Sequence, residues 1–444
     1  MNTNGQATAA AAVGRPISTA GEVFADGAMI ELIGGAHPAH PQLMLWDGSN
    51  EFVGPVVEYK GDRYEPAEIE RSVLQHLALP TRCCPHGTTR EFLTETCTLI
   101  ANLVGLDEKT ASLAARIVLC SAIIDVVSVA PMLVIAGPDT TRANRLVNVL
   151  RCLCWHSVPL TSVTPASFCS LANGARYTFL ISQANISEKL QKLLDDASRS
   201  DRKIPFRGRL LDLFGVQVIQ SESVFADDPW PLRSIRIAMV PTKTALPAFD
   251  RNEQRLIATE FQAKLLSFRR SNLVAAQRLD FDASKFTPGL RDLARTLAAA
   301  TPDDVELQAE VFELLREEDA ESRSARWIDL SVIAVEAVLV ACRESPGEAV
   351  YISELSNIAQ AILNGRGEDS TIHAGAFGKR LKLLRFVAEP RDAKGKKLRL
   401  TEAVRDRALQ LAHDLDIPGQ ATKSTDVSLH GVAQEDVVQR DIGV

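Results

Sequence analysis

Met132-Leu-Val-Ile-Ala-Gly-Pro-Asp-Thr-Thr-Arg-Ala-Asn-Arg145 is the stretch that decides how this chain is read. Its apolar run, Met132 to Ala136, has the composition of a buried strand. The run meets Gly137-Pro138, and apolar positions from Asn144 to Leu153 then recur at helical spacing, so the order is strand, turn, helix. A phosphate-binding loop asks for Gly, four residues, Gly, Lys and then Ser or Thr. Set on Gly137, the last three positions fall on Arg142, Ala143 and Asn144. The lysine that reaches the β- and γ-phosphates is missing, and so is the hydroxyl that holds Mg²⁺. The layout is that of a nucleotide-hydrolysing domain without its catalytic groups.

The surrounding sequence extends the layout. Further β-type runs at Ser157–Leu160, Thr178–Ile181, Val216–Gln220 and Ile235–Val240 alternate with helical patterns at Asn144–Leu153, Thr164–Leu171 and Ser187–Ser200. Together they predict a parallel sheet flanked by helices, an α/β core. Tyr177-Thr-Phe-Leu-Ile181 leads into Ser182-Gln183, where ring-type NTPases carry Asp-Glu. Neither neutral residue can act as a base or hold Mg²⁺ strongly, because that ion favours carboxylates and phosphates. No catalytic residue is therefore expected, and neither ATP nor Mg²⁺ is expected as a cofactor. The residues left to touch a nucleotide are Gly137, Thr141, Arg142, Arg145 and Arg233. Arginine clamps phosphates in bidentate fashion, so Arg142 or Arg145 standing in for lysine would give a weak or atypical ATPase. A doubly wound domain that never bound nucleotide would show the same pattern.

At 444 residues, with 46% hydrophobic and 24% charged residues, the chain has the composition of a multi-domain globular protein. A net charge of −7 argues against coating nucleic acid with the whole surface, so any such role needs a local basic patch. Eight cysteines without regular spacing, and no secretory signal, point to a reduced cytoplasmic setting. Cys83-Cys84-Pro-His86 and Cys152-Leu-Cys154-Trp-His156 lack the spacing of a zinc site, so no metal site is expected. No apolar stretch reaches the roughly 20 residues of a membrane span. The expected organisation is disorder over 1–42, a small antiparallel β segment over 43–64, a helical lead-in over 65–130, the P-loop-like core over 131–249, a helical spacer over 250–325, a winged helix over 326–417 and a flexible tail over 418–444.

The order Leu79-Pro80, Pro85-His-Gly87-Thr88, an apolar helix, Ala130-Pro131, the loop at Gly137 and Leu150-Arg-Cys-Leu-Cys-Trp155 resembles the primase-helicase-associated ATPase-like proteins of bacterial mobile elements. The resemblance continues through Thr178–Ile181 and Phe206–Val218 to Arg233-Ser-Ile235, covering residues 65–245. It implies a DNA-linked ATPase architecture, and a partner that is an active ATPase subunit or another protein. The chain departs from the intact pattern at Arg142, Ala143, Asn144, Ser182 and Gln183.

The second informative region is 326–417. Trp327–Cys342 reads as an apolar helix, Ala349–Ile352 as a strand, Ser353–Leu363 as a helix capped by Ser353, and Ala374–Leu384 as another helix. Phe386–Ala388 and Leu398–Leu400 read as a β-hairpin around the tip Arg391-Asp-Ala-Lys-Gly-Lys-Lys397. That order is the winged-helix relative of the helix-turn-helix. Residues 374–400 hold nine cations (Lys379, Arg380, Lys382, Arg385, Arg391, Lys394, Lys396, Lys397 and Arg399) against Glu389 and Asp392, a local excess of +7. The first eight are the expected DNA-binding residues, with duplex DNA as the partner. A protein-interaction scaffold that uses the same fold without nucleic acid is the alternative.

Overall fold

The computed structural model describes residues 15–35, 40–172, 175–221, 234–242, 245–368, 371–393, 395–415 and 417. Arg233, Lys394 and the expected tail at 418–444 lie outside the described residues. Two compact units are present, divided between Ser322 and Arg323.

The first unit begins with strands β1 (Ile17–Thr19), β2 (Gly21–Val23), β3 (Met29–Ile33), β4 (Gln42–Trp46), β5 (Glu51–Gly54), β6 (Val57–Tyr59) and β7 (Asp62–Pro66). Strands β2-β3-β4-β5 form an antiparallel sheet, while β1 joins β7 in parallel beside β6. Residues 17–33, which composition reads as disordered, are thus structured. Every residue of Met29-Ile-Glu-Leu-Ile33 is buried, Glu31 included. This short run is masked in the sequence by the Ala-, Gly- and Thr-rich residues around it.

Helices α1 (Arg71–Leu74), α2 (Thr89–Val104) and α3 (Glu108–Ala122) follow. The parallel core comprises β8 (Met132–Ala136), α4 (Thr140–Leu153), β9 (Ser157–Thr161), α5 (Pro165–Cys169), β10 (Thr178–Ser182), α6 (Glu188–Ala197), the hairpin β11 (Ile204–Phe206) and β12 (Arg209–Leu211), β13 (Gln217–Gln220) and β14 (Ser234–Ala238). The sheet runs β14-β8-β13-β10-β9 with every pairing parallel. From β8 the chain crosses to the far edge at β9, returns through β10 and β13, then passes β8 to reach β14. The connections that leave the neighbouring strands β8 and β13 run in opposite senses, and in open α/β sheets ligands bind at the carboxyl edge of such a switch point. Gly137 and Ser182 both stand at that edge, as the sequence predicts.

The rest of this unit is α7 (Arg251–Arg278), α8 (Pro288–Ala299), α9 (Val305–Ala309) and α10 (Val311–Leu314), with α11 (Arg316–Trp327) following. Residues 250–325 are not a spacer. Phe261, Leu265, Phe268, Leu290 and Leu297 share one buried core with Leu133 and Ile135 of β8. Gln262 of α7 also donates to the carbonyls of Cys152, Leu153 and Cys154 at 3.0, 3.1 and 3.1 Å, supplying partners that the end of α4 lacks.

The second unit contains α12 (Leu330–Glu344), β15 (Ala349–Tyr351), α13 (Ile352–Gly365), α14 (Ala374–Leu383), β16 (Lys397–Arg399) and α15 (Glu402–Asp414). Its own core gathers Val335, Leu339, Leu355, Ala359, Phe377, Leu381, Phe386, Leu398 and Leu411. Two local expectations change. Helix α13 starts one residue before Ser353, with Glu354 Oε2 accepting the Tyr351 N–H at 2.9 Å. Phe386–Ala388 forms no strand, and β16 pairs antiparallel with β15 instead. Phe386 is taken up in closing α14, its N–H bonding the Leu381 carbonyl at 3.0 Å while the Arg385 N–H bonds that of Lys382 at 3.0 Å. This is a Schellman closure, and it places Arg385 in the left-handed region at φ 64°.

Candidate functional site

The sheet edge is built from β8 outward. Gly137 leaves β8 at φ 132°, and a Cβ there would lie 2.4 Å from the Met239 carbonyl oxygen. The Met239 N–H bonds Ala136 O at 2.7 Å, and the Asp139 N–H bonds Met239 O at 3.1 Å. Asp139 N–H, one of the loop donors that would face a phosphate, thus turns to the residue after β14. Helix α4 starts at Thr140, earlier than its apolar pattern predicts, so only Pro138 and Asp139 separate it from Gly137. Asp139 caps it, one carboxylate oxygen accepting the Arg142 N–H at 3.0 Å. An anion therefore already occupies the helix end that would attract a phosphate. Thr141 is exposed in the first turn.

Two of the positions where catalytic groups are expected, Asn144 and Ser182, are brought together by Gln220. Asn144 Oδ1 accepts from Gln220 Nε2 at 2.7 Å, and Ser182 Oγ donates to Gln220 Oε1 at 3.0 Å. Gln183 is bound to its own connection, accepting from Val163 N–H at 2.7 Å and donating to Asn185 O at 3.0 Å. The result is a chain of amides and a hydroxyl satisfied by one another. Such a donor set does not fit Mg²⁺, and it contains no group that takes a proton from water near neutral pH.

Arg142 and Arg145 point away from this edge, toward the end of α2. Arg142 Nε and Nη2 donate to the Val104 and Gly105 carbonyls at 3.0 and 2.6 Å, and Nη1 donates to Val240 O at 2.6 Å. Arg145 Nε donates to Leu103 O at 2.5 Å, Nη2 donates to Pro247 O, and the guanidinium lies 5.5 Å from the Phe249 ring centre. Two cations thus meet the orphan carbonyls and partial negative charge at a helix C-terminus. Of the expected nucleotide set, Gly137 and Thr141 lie at the edge, Arg142 and Arg145 face α2, and Arg233 is outside the described residues.

Sequence reasoning misses a buried polar cluster at the opposite end of the sheet. Arg269 Nε lies 2.6 Å from Glu31 Oε1, and Nη1 lies 2.7 Å from Asp125. Burial pushes the Glu31 carboxyl up to about 7, aided by the like charge of Asp125 and opposed by Arg269. The neighbouring His156, buried and at φ 45°, is held neutral because burial and Arg269 depress its pKa to about 3. Glu31 and Arg269 lie far apart in the chain, and no local pattern links them.

In the second unit, Lys379 and Arg380 on α14, Lys382 one turn on, Arg385 at its close and Arg391 and Lys396 on the following loop have, among the described residues, no recorded carboxylate partner. The two acids in this stretch are already engaged. Asp392 pairs with Lys397 at 2.8 Å and Glu389 with Arg399 at 2.6 Å. Lys397 also stacks on Tyr351, 4.6 Å from the ring centre. Its ammonium is therefore held charged, its pKa raised chiefly by the Asp392 hydrogen bond. Lys379, Lys382, Arg385, Arg391 and Lys396 rim one groove of about 940 Å³. Gly375 and Gly378 of α14 also line that groove and present no side chain to it.

Among the described residues no group of His, Cys, Asp and Glu could hold a metal ion, and all eight cysteines are free thiols. No helix among them is long and apolar enough to cross a membrane. No protein-family model matches the chain, and no curated protein is similar to it in sequence. Among solved structures, the chain is similar to the apo form of the NrS-1 C-terminal region at 11% identity, over 84% of this chain and 96% of that one, with a TM-score of 0.35. It is also similar to a full-length MCM homolog from Methanopyrus kandleri at 13% identity, over 66% and 78% of the respective chains, with a TM-score of 0.32. Likenesses of this degree leave the fold to rest on the strand order itself.

Proposed function

We propose that this is a DNA-associated protein whose second unit holds duplex DNA as a winged helix, while its P-loop-like core is a platform that does not turn over nucleotide. The observation that carries the reading is the set of six cations without carboxylate partners on α14 and the loop after it, five of them around one groove. Helices α13 and α14 would form the helix-turn-helix pair, with α14 entering the major groove and the loop at Arg391–Lys396 touching the backbone. Affinity would come mainly from phosphates, because lysines and arginines dominate the surface. Leu383 and Val387, exposed at 73% and 84%, favour the second reading of a protein-contact surface. The cations placed beside them put DNA first.

Arg385 offers a test with two opposed readouts. It pays for a left-handed backbone that glycine adopts freely, so Arg385→Gly is expected to stabilise the second unit by about 1 kcal/mol. The same change removes one phosphate contact and flattens the plot of log affinity against log salt by about 0.9. Thermal melting and fluorescence anisotropy on the same sample check both. A variant that is more stable and binds duplex DNA unchanged refutes the assignment of Arg385.

The platform reading rests on the neutral Asn144–Gln220–Ser182 chain and the Asp139 cap. Purified protein is expected to release no phosphate from ATP above a protein-free control, with or without DNA. Turnover that is lost on changing Asn144 or Ser182 would make the core an enzyme.

A further inference from the structure

The first unit carries a second cationic surface, away from the sheet edge. Arg151 in the last turn of α4 and Arg251 and Arg255 in the first two turns of α7 line a groove of about 680 Å³ with His76, Asn148 and Gln254. Arg151 is oriented by Gln254, whose side-chain oxygen accepts from its guanidinium at 2.7 Å. Among the described residues none of the three arginines has a recorded carboxylate partner. The acids at the start of α7 are committed to its cap. Glu253 accepts the Asp250 N–H at 2.9 Å, and Asp250 accepts those of Asn252 and Glu253 at 2.8 and 3.0 Å.

Local electrostatics disfavour this arrangement in the free protein. Like charges four residues apart on a helix repel, and Arg251 and Arg255 are so spaced. The helix's own partial positive charge at that end is already met by the Asp250 and Glu253 carboxylates of the cap. An anion in the groove would relieve that repulsion. Guanidinium forks match phosphate oxygens in bidentate geometry, and the neighbouring amides supply neutral hydrogen bonds.

We propose that this groove binds the phosphates of a polyanion, with Arg151, Arg251 and Arg255 as the contacting residues. The inference does not rest on the DNA reading of the second unit. Nucleic-acid backbone and free polyphosphate share the required chemistry, and the test separates them.

The experiment uses the full chain in three forms: unchanged, Arg251→Glu with Arg255→Glu, and Lys379→Ala with Lys382→Ala and Lys396→Ala. Each is titrated across salt with a fluorescent duplex oligonucleotide and, separately, with tripolyphosphate. The arginine variant is expected to melt as the unchanged protein does, since both side chains are exposed and unpaired. It should lose about 0.9 of the log–log salt slope for each arginine that met a phosphate. Loss confined to the duplex identifies nucleic acid as the source, and loss confined to tripolyphosphate identifies a free polyphosphate. Unchanged affinity and slope for both probes overturn the proposal, as does failure of the unchanged protein to bind either. If only the lysine variant loses duplex binding and the arginine variant keeps its affinity for tripolyphosphate, this groove is excluded and the second-unit reading stands. If only the arginine variant does, the second-unit reading falls and this one holds.

Discussion

Arg269→Met is expected to destabilise the first unit by roughly 3–5 kcal/mol, because it leaves a buried carboxylate without its cation. Arg269 is 2% exposed and Glu31 1%, so water cannot replace the lost partner. Arg269 also donates to Ala122 O at 2.5 Å and lies 5.7 Å from the Trp155 ring centre, contacts that methionine only partly restores. A second change, Glu31→Leu, should recover much of the loss, since an apolar pair of similar volume can replace a buried ion pair. Urea unfolding of the single and double variants measures the coupling.

The pH dependence follows from the same carboxyl. Glu31 titrates near 4.5 when unperturbed and at about 7 in the folded chain. Between those values the folded state binds the extra proton, so this group's contribution is fully present below about pH 4.5 and is lost as pH rises to 7. Glu31→Gln should flatten that part of the stability profile. Arg269→Met should extend the decline above pH 7, because the cation that opposed protonation is gone.

Gly137→Ala is expected to cost about 3 kcal/mol or more, combining a backbone conformation foreign to alanine with overpacking. The added Cβ would meet Met239 O at 2.4 Å and Met239 N at 2.8 Å, both backbone atoms that cannot swing aside. On this account the glycine is required because β8 and the end of β14 approach closely there. Unfolding in urea with and without ATP is the check. Unchanged stability together with an altered response to ATP would return Gly137 to a phosphate-binding role.

The parallel core was legible because its strands are continuous apolar runs, as strands covered on both faces must be. The start of α4 was not, since apolar periodicity begins only where the helix meets the core. Asp139 holds its first turn, which contains the β-branched Thr140 and Thr141, by capping instead. Arg142 and Arg145 were visible as cations near the turn, but their direction depends on α2 ending beside them, a tertiary fact. Strand β3 went unseen because its short run sits among Ala-, Gly- and Thr-rich residues, and its polar member, Glu31, is satisfied only by a residue of a helix distant in the chain. The same reason hid α7 and α8 as parts of the first core: helical amphipathicity says that a face is buried but not against what. In the second unit α14 and its cations could be read directly. The supposed hairpin could not, because the β-type run Phe386–Ala388 serves to close a helix.

The most direct test of the central claim is the duplex-DNA affinity of the full chain across roughly 50 to 200 mM salt, with the Lys379→Ala, Lys382→Ala, Lys396→Ala variant alongside and ATP present or absent. The expected result is a steep negative log–log slope that falls by about 0.9 for each of these lysines that meets a phosphate, with no effect of ATP. A slope and affinity that the triple change leaves intact, or an affinity that rises or falls with ATP hydrolysis, would contradict it.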